Sequence, residues 1–115
     1  MRYEGSLIFL SVVDLERSSA FYRSLGLEVV VDQGSCHILG EGGRMMVGVC
    51  GGRHPSPDGV IVTLVTSEVE RVCADLEAAG VVFEQGPLLN PEYAITHAFL
   101  RDPDGYLVEI QRFET

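Results

Sequence analysis

Apolar and polar positions divide the chain into two segments that repeat the same order of predicted elements. Residues 5–12 form an apolar run of strand length. Residues 14–26 then place apolar side chains at helical spacing, with Asp14 as the predicted N-cap and Gly26 as the stop. Three short β-prone runs follow, at residues 27–31, 36–39 and 44–50. The first segment therefore predicts a βαβββ module.

The pattern restarts after a glycine- and proline-rich stretch at residues 51–59, which is predicted to be a linker. A strand is expected at residues 60–65, and a helix capped by Ser67 runs to Ala79 before Gly80. Further strands are predicted at 81–84, 94–101 and 106–112, the last two joined by the turn Asp-Pro-Asp-Gly at 102–105. We therefore predict an α+β fold in a single domain, residues 1–115, with module one at 1–50 and module two at 60–115.

Charge narrows the set of partners. The chain has 8 Lys and Arg against 17 Asp and Glu, a formal net charge of −9. That field repels phosphate backbones and anionic membrane surfaces, so neither nucleic acid nor membrane is an expected partner. A cationic small molecule is favoured, although an acidic surface also serves solubility alone. No apolar run approaches the length of a membrane span.

The three cysteines, Cys36, Cys50 and Cys73, form an odd set without CxxC spacing. Such a set is typical of reduced thiols that fill space in a cytoplasmic protein. We therefore predict a cytoplasmic location and no disulfide framework.

Two stretches carry a resemblance to a known family. VVDLERSSAFYRSLGLEVV, residues 12–30, resembles the first helix of the glyoxalase/bleomycin-resistance/extradiol-dioxygenase (vicinal oxygen chelate) superfamily, and FLRDPDGYLVEIQRF, residues 99–113, resembles its last hairpin. The resemblance implies a curved mixed sheet from each module, helices on the outer face, a cup between the sheets that binds a small organic molecule, and a homodimer.

Metal-dependent members of that superfamily place His, Glu or Gln at four positions, on the first and last strands of each module. The resemblance puts these positions at Leu7, at one of Met46, Val47 and Gly48, at Val60 and at Glu109. Only Glu109 offers a donor that a divalent ion prefers. One carboxylate without partners cannot hold a divalent ion tightly, so we expect no metal site and no cofactor.

The predicted site is an apolar cavity with one carboxylate. Glu109 is the candidate catalytic residue, as a general base or as the counter-ion of a ligand amine. The alternative is that Glu109 pairs with Arg44 or Arg101, or stays hydrated. The other predicted ligand-binding residues are Leu7, Phe9, Val60 and Val62, with Tyr93 as an aromatic lid.

Two histidines leave alternatives open. Counting across the turn at 102–105 places Ala98 opposite Glu109 and turns His97 to the other face, unless a bulge shifts the register by one residue. His37, on the third strand, points either inward or outward.

Three functions agree with these observations. The first is a small-molecule-binding protein that sequesters a drug or metabolite. The second is a metal-free enzyme or ligand sensor that uses Glu109. The third is a metal-dependent lyase, isomerase or dioxygenase of the same superfamily, which Leu7 and Val60 disfavour. Whether the chain is an enzyme stays open at this point.

Overall fold

The first half of the chain folds into a βαβββ unit. The computed structural model describes residues 1–114, in two compact units that divide between Ser56 and Pro57, inside the predicted linker. The first sheet has the order β1-β4-β3-β2, with β1 and β4 parallel and the other pairs antiparallel. Its elements are β1 (Phe9–Ser11), α1 (Leu15–Ser24), β2 (Glu28–Asp32), β3 (Cys36–Glu41) and β4 (Arg44–Cys50).

Helix α1 has the ends that the sequence predicts. The Asp14 side chain accepts a hydrogen bond from the Arg17 backbone N–H, and Gly26 follows the helix with a φ of +100°. Its fully buried residues are Ser18, Ser19 and Tyr22. The helix covers the sheet face that carries His37, because the His37 Nδ1 lies 2.9 Å from the Ser19 Oγ. His37 therefore packs between helix and sheet.

The second half repeats the topology. Its sheet has the order β5-β8-β7-β6, again with one parallel pair, β5 and β8. The elements are β5 (Ile61–Val65), α2 (Val69–Ala78), β6 (Gln85–Asn90), β7 (Ile95–Arg101) and β8 (Leu107–Phe113). The predicted α+β class and the two βαβββ modules are confirmed.

Two local predictions in the second unit are wrong. Residues 81–84 are not a strand, and β6 instead occupies Gln85–Asn90. Pro87 has no backbone N–H to donate to a neighbouring strand. It is accommodated in β6 because β6 is an edge strand and its pairing with β7 is interrupted between Gln85 and Leu88. Ser67 does not cap α2: the N-cap is Glu68, whose N–H bonds to the Thr66 Oγ1.

Helix α2 buries Val69, Cys73 and Leu76 against one face of the second sheet. On the strands, the completely or almost completely buried residues of that face are Ala98, Leu100, Val108 and Ile110. None of the helices in residues 1–114 has the length and apolar character needed to cross a membrane.

An ion-pair cluster joins β8 to α2 on the same face. The Arg112 guanidinium donates to both carboxylate oxygens of Glu70, at 2.6 and 3.1 Å, and to Glu114 at 2.9 Å. These hydrogen bonds with Arg112 lower the pKa of both Glu70 and Glu114 from the ordinary value of 4.5.

Acid is therefore expected to destabilise the wild type more than an Arg112→Gln variant. The folded pKa values of Glu70 and Glu114 lie below their unfolded values, so the stabilisation is present above about pH 4.5 and is lost as the pH falls through the folded values. Urea unfolding of both proteins at pH 6 and pH 3 checks this. If the free energies of unfolding of the wild type and Arg112→Gln differ by the same amount at pH 6 and at pH 3, the prediction is wrong.

The prediction of three reduced cysteines is wrong. Cys36 and Cys50 form a disulfide, and only Cys73 is a free, buried thiol among the described residues. The spacing of the cysteines in the sequence does not indicate this pair. Their sulfur atoms come together because the register of β3 and β4 places Cys36 directly opposite Cys50.

Candidate functional site

The hairpin between β7 and β8 decides which side chains surround Glu109. Asp102 and Tyr106 are joined by a backbone hydrogen bond of 3.0 Å, which leaves three loop residues, and Gly105 has a φ of +90°. This is the three-residue loop with a glycine bulge, not a two-residue loop. Glu109 is consequently opposite Phe99, and the prediction that Ala98 is opposite Glu109 is wrong.

His97 therefore lies on the same face as Glu109. The His97 Nδ1 is 2.5 Å from the Glu109 Oε2, and the two side chains are only 12% and 10% exposed. The other carboxylate oxygen, Oε1, accepts a hydrogen bond of 2.7 Å from the Thr63 hydroxyl on β5. Gln111 Nε2 makes a longer contact of 3.4 Å with Oε2. These four residues form the Glu109 cluster, which spans three adjacent strands.

The cluster fixes the hydrogen-bonding roles of the imidazole. An ionised carboxylate only accepts hydrogen bonds, so Nδ1 of His97 donates to Glu109. In the neutral ring Nε2 is then an acceptor, and Nε2 has no hydrogen-bond partner in the described part of the chain. The Phe99 ring packs against the imidazole in an edge-to-face arrangement, with 4.8 Å between centroids, and helps to hold its orientation.

Apolar side chains surround this polar centre on the face of the second sheet opposite α2, which we call the Glu109 face. Because side chains alternate between the two faces of a strand, every second residue of β5, β7 and β8 lies on the Glu109 face, as does Leu88 of β6, which is opposite His97. Several are large and exposed, although they belong to sheet strands: Ile61, Val65, Leu88 and Phe113. A polar centre with an exposed apolar surround is a surface suited to a ligand or partner.

A cavity of about 340 Å³ adjoins the Glu109 face at the end of the sheet where β5 begins. Ile61 and Leu107 belong to both the face and the cavity, and they flank Thr63 and Glu109 along their strands. The volume lies in the range of small-molecule sites. The cavity is lined by Pro57, Asp58, Gly59, Val60, Ile61, Arg101 and Leu107.

One polar group beside the cluster lacks a partner. Gln85 pairs with Phe99 and so lies on the Glu109 face, and its Nε2 is buried without a hydrogen bond among the described residues. A buried donor left unpaired costs free energy, and this atom is inaccessible from the surface of the face.

The predicted site residues are distributed unevenly. Glu109 is buried at the centre of the cluster, and its expected alternative pairing with Arg44 or Arg101 is wrong: Arg101 pairs with Glu84 at 2.5 Å. Val60 lines the cavity. Val62 is opposite Val108 and hence on the α2 face, so its predicted place beside Glu109 is wrong.

The other predicted ligand-binding residues lie elsewhere in the chain. Leu7 and Phe9 belong to the first unit, where the Phe9 ring covers Gly48 of β4, on the face opposite α1. Tyr93 is exposed in the turn between β6 and β7. Its role as a lid stays a prediction.

Sequence reasoning missed Thr63 and Gln111 and turned His97 the wrong way. Thr63 is a polar residue in the apolar run 60–65, and such an interruption is the one signal that marks it. Gln111 follows Glu109 at a spacing of two, which places both on one strand face.

Comparison with known proteins assigns the family. The model of the Glyoxalase/Bleomycin resistance protein/Dioxygenase superfamily matches residues 6–110. The chain belongs to this superfamily. An uncharacterized protein of Mycolicibacterium smegmatis is 28% identical over 86 residues, which are 74% of each chain.

Solved structures of this superfamily share the fold. A lactoylglutathione lyase from Agrobacterium tumefaciens superposes with a TM-score of 0.77 at 21% identity, covering 99% of this chain and 97% of the other. A glyoxalase/bleomycin resistance protein from Catenulispora acidiphila has a TM-score of 0.74 at 19% identity, covering 94% and 96%. At these identities the likeness concerns the fold alone.

The residues of this chain do not fit the divalent metal that some superfamily members use. Of the four positions that the resemblance assigns to metal ligands, Glu109 alone carries a carboxylate or imidazole. Leu7 and Val60 carry no donor atoms in their side chains. Within residues 1–114, no three His, Cys, Asp or Glu side chains come together in a group able to hold a metal ion.

Proposed function

We propose that the chain is a small-molecule-binding protein that holds an organic ligand on the Glu109 face and in the adjoining cavity. The observation that carries this proposal is the buried pair of His97 and Glu109, hydrogen-bonded at 2.5 Å in the middle of an exposed apolar surface. Sequestration of a drug or metabolite is the function that such a site supports best.

The chemistry of the cluster selects the ligand. With His97 neutral, the cluster carries the negative charge of Glu109 and presents an acceptor at Nε2. A ligand amine or guanidinium supplies both the missing donor and the missing positive charge, and its apolar part covers residues such as Ile61 and Leu88. The net charge of −9 also attracts cations to the protein.

A second candidate function is metal-free catalysis. A carboxylate that accepts from Nδ1 and leaves Nε2 open is the arrangement in which histidine acts as a general base. In that case His97 Nε2 takes the proton from the substrate, and Glu109 positions the ring and stabilises the imidazolium. Incubating the protein with a ligand and analysing the ligand afterwards distinguishes the two functions. A ligand that is recovered chemically unchanged indicates binding without catalysis.

A thermal-shift screen tests the binding proposal. The probes are arylalkyl amines, guanidines and cationic glycopeptides, with arylalkyl carboxylates of matched size and divalent ions as comparison sets. Because a ligand of the folded state stabilises it by mass action, amines and guanidines are expected to raise the Tm most. A screen in which carboxylates alone raise the Tm would contradict the proposed selectivity.

A homodimer completes the proposal, because the chain belongs to the superfamily whose resemblance implies one. The cytoplasmic location stays a prediction, and the Cys36–Cys50 disulfide removes the argument for it from reduced thiols.

A further inference from the structure

The disulfide joins the beginning of β3 to the end of β4. Cys36 and Cys50 are directly opposite, with a Cα–Cα separation of 4.1 Å, the short spacing of a non-hydrogen-bonded pair in an antiparallel ladder. The Gly51 N–H bonds to the Ser35 carbonyl oxygen at 2.9 Å on one side, and His37 is opposite Val49 on the other. The backbone therefore holds the two sulfur atoms together whether or not a bond joins them.

The bond links strands that the ladder already joins. Strands β3 and β4 are connected by a short turn at residues 42–43 and are paired at six positions. In the reduced protein the two thiols consequently face each other at a high effective concentration. The disulfide is able to open without separating the strands, and it closes again within the chain.

The cysteines differ in access to solvent. Cys36 is half-buried beside an exposed turn at residues 33–35, whereas Cys50 is only 5% exposed. An external thiolate therefore reaches the Cys36 sulfur first. Cys73 lies in the second unit, and burial, with Glu77 and Glu70 nearby, raises the pKa of its thiol to about 11. Cys73 is thus an inert thiol in the same chain.

We infer that Cys36 and Cys50 form a reversible thiol–disulfide site that exchanges with low-molecular-weight thiols such as glutathione. A glutathione thiolate attacks the Cys36 sulfur, a mixed disulfide forms there, and Cys50 leaves as a thiolate that takes up a proton. A second glutathione thiolate attacks the glutathione sulfur of the mixed disulfide and releases the Cys36 thiolate, which is then protonated. The protein gains two thiols, and two glutathione molecules become one glutathione disulfide.

The position of the bond gives the exchange a local consequence. Cys50 is the last residue of β4, its carbonyl oxygen accepts from the Val12 N–H at 2.9 Å, and the segment 51–59 begins at the next residue. Reduction removes the covalent link between this point and the beginning of β3. Faster amide hydrogen exchange is therefore expected at Gly51, whose N–H bonds to Ser35.

Iodoacetamide alkylation of the native protein, read by intact mass, tests the inference. After treatment with oxidised glutathione we expect no alkylation, and after millimolar reduced glutathione we expect alkylation first at the half-buried Cys36 and more slowly at Cys50, which is 5% exposed, by peptide mapping. Denaturation with a strong reductant is expected to give a third, at Cys73. A Cys73→Ser variant is the matched control and should keep the first two results.

Two outcomes would overturn the inference. One is a native protein whose Cys36 is still alkylated after oxidised glutathione, which would show that no disulfide forms. The other is a disulfide that reduced glutathione opens only in denaturant, which would make it a permanent structural bond. Circular dichroism before alkylation confirms that each sample is folded. In a Cys36→Ser variant Cys50 should be a free thiol whose slow alkylation does not depend on reduced glutathione.

Discussion

Replacing Glu109 by glutamine is expected to weaken the binding of an amine or guanidine ligand by about 1.5–3 kcal/mol, the range for a hydrogen bond to a charged group. This corresponds to roughly 10- to 150-fold in affinity. Glutamine keeps the shape of the side chain and a partner for Thr63 and His97, but it removes the negative charge that a cationic ligand neutralises. Isothermal titration calorimetry with the strongest amine found by screening measures the loss.

Glu77→Gln is the matched control for this substitution. It removes the same charge from an exposed position on α2, which covers the opposite face of the second sheet. We expect the control to bind as the wild type does, and both variants to unfold cooperatively in urea. If Glu109→Gln and Glu77→Gln bind every ligand equally well, Glu109 has a structural role only.

A His97→Asn variant separates the two members of the pair. The asparagine amide nitrogen takes the approximate place of Nδ1 and satisfies Glu109, while the acceptor at Nε2 is lost. We therefore expect a loss of affinity similar to that of Glu109→Gln. An unchanged affinity would show that the ligand contacts the carboxylate without the imidazole.

Gly40→Ala is expected to destabilise the folded chain by about 3 kcal/mol, the upper part of the range for overpacking. A Cβ at Gly40 would lie 1.6 Å from the carbonyl oxygen of Arg44, a backbone atom of the neighbouring strand. Arg44 follows the tight turn at Gly42 and Gly43, so β4 cannot move away without breaking its pairing with β3. Urea unfolding gives the difference in free energy.

Gly86→Ala in β6 is the control, because nothing lies within 4 Å of the Cβ that it would add and its φ is not in the left-handed region. We expect this variant to stay within about 0.5 kcal/mol of the wild type, as surface substitutions usually do. A Gly40→Ala protein as stable as Gly86→Ala would show that the turn between β3 and β4 differs from the one described.

The parts of the fold set by local chemistry could be predicted from the sequence. Asp14 caps α1, and Gly26 and Gly80 follow the two helices with φ of +100° and +96°. A cap or a left-handed glycine depends on a few neighbouring residues, so its pattern is visible without tertiary structure. The repeat of βαβββ order follows from such signals in both halves.

The candidate site could not be predicted fully, because bulges set the strand register. One extra loop residue at Gly105 turns His97 to the face of Glu109. A register shift between Leu39 and Gly40 similarly brings Cys36 opposite Cys50, where an unshifted ladder would pair Cys36 with Val49. Each bulge changes the position of one residue in the pairing and thereby every side-chain contact beyond it.

The most direct test of the Glu109 face as the ligand site is a ¹H–¹⁵N NMR titration of the assigned protein with benzylamine and with the strongest amine from the screen. We predict that the amide shifts are concentrated on β5, β7 and β8 around Thr63, His97, Phe99, Glu109 and Gln111, and that Glu109→Gln reduces them. Shifts confined to α2 or to the first unit, or no shift at these five residues with either amine, would contradict the proposal.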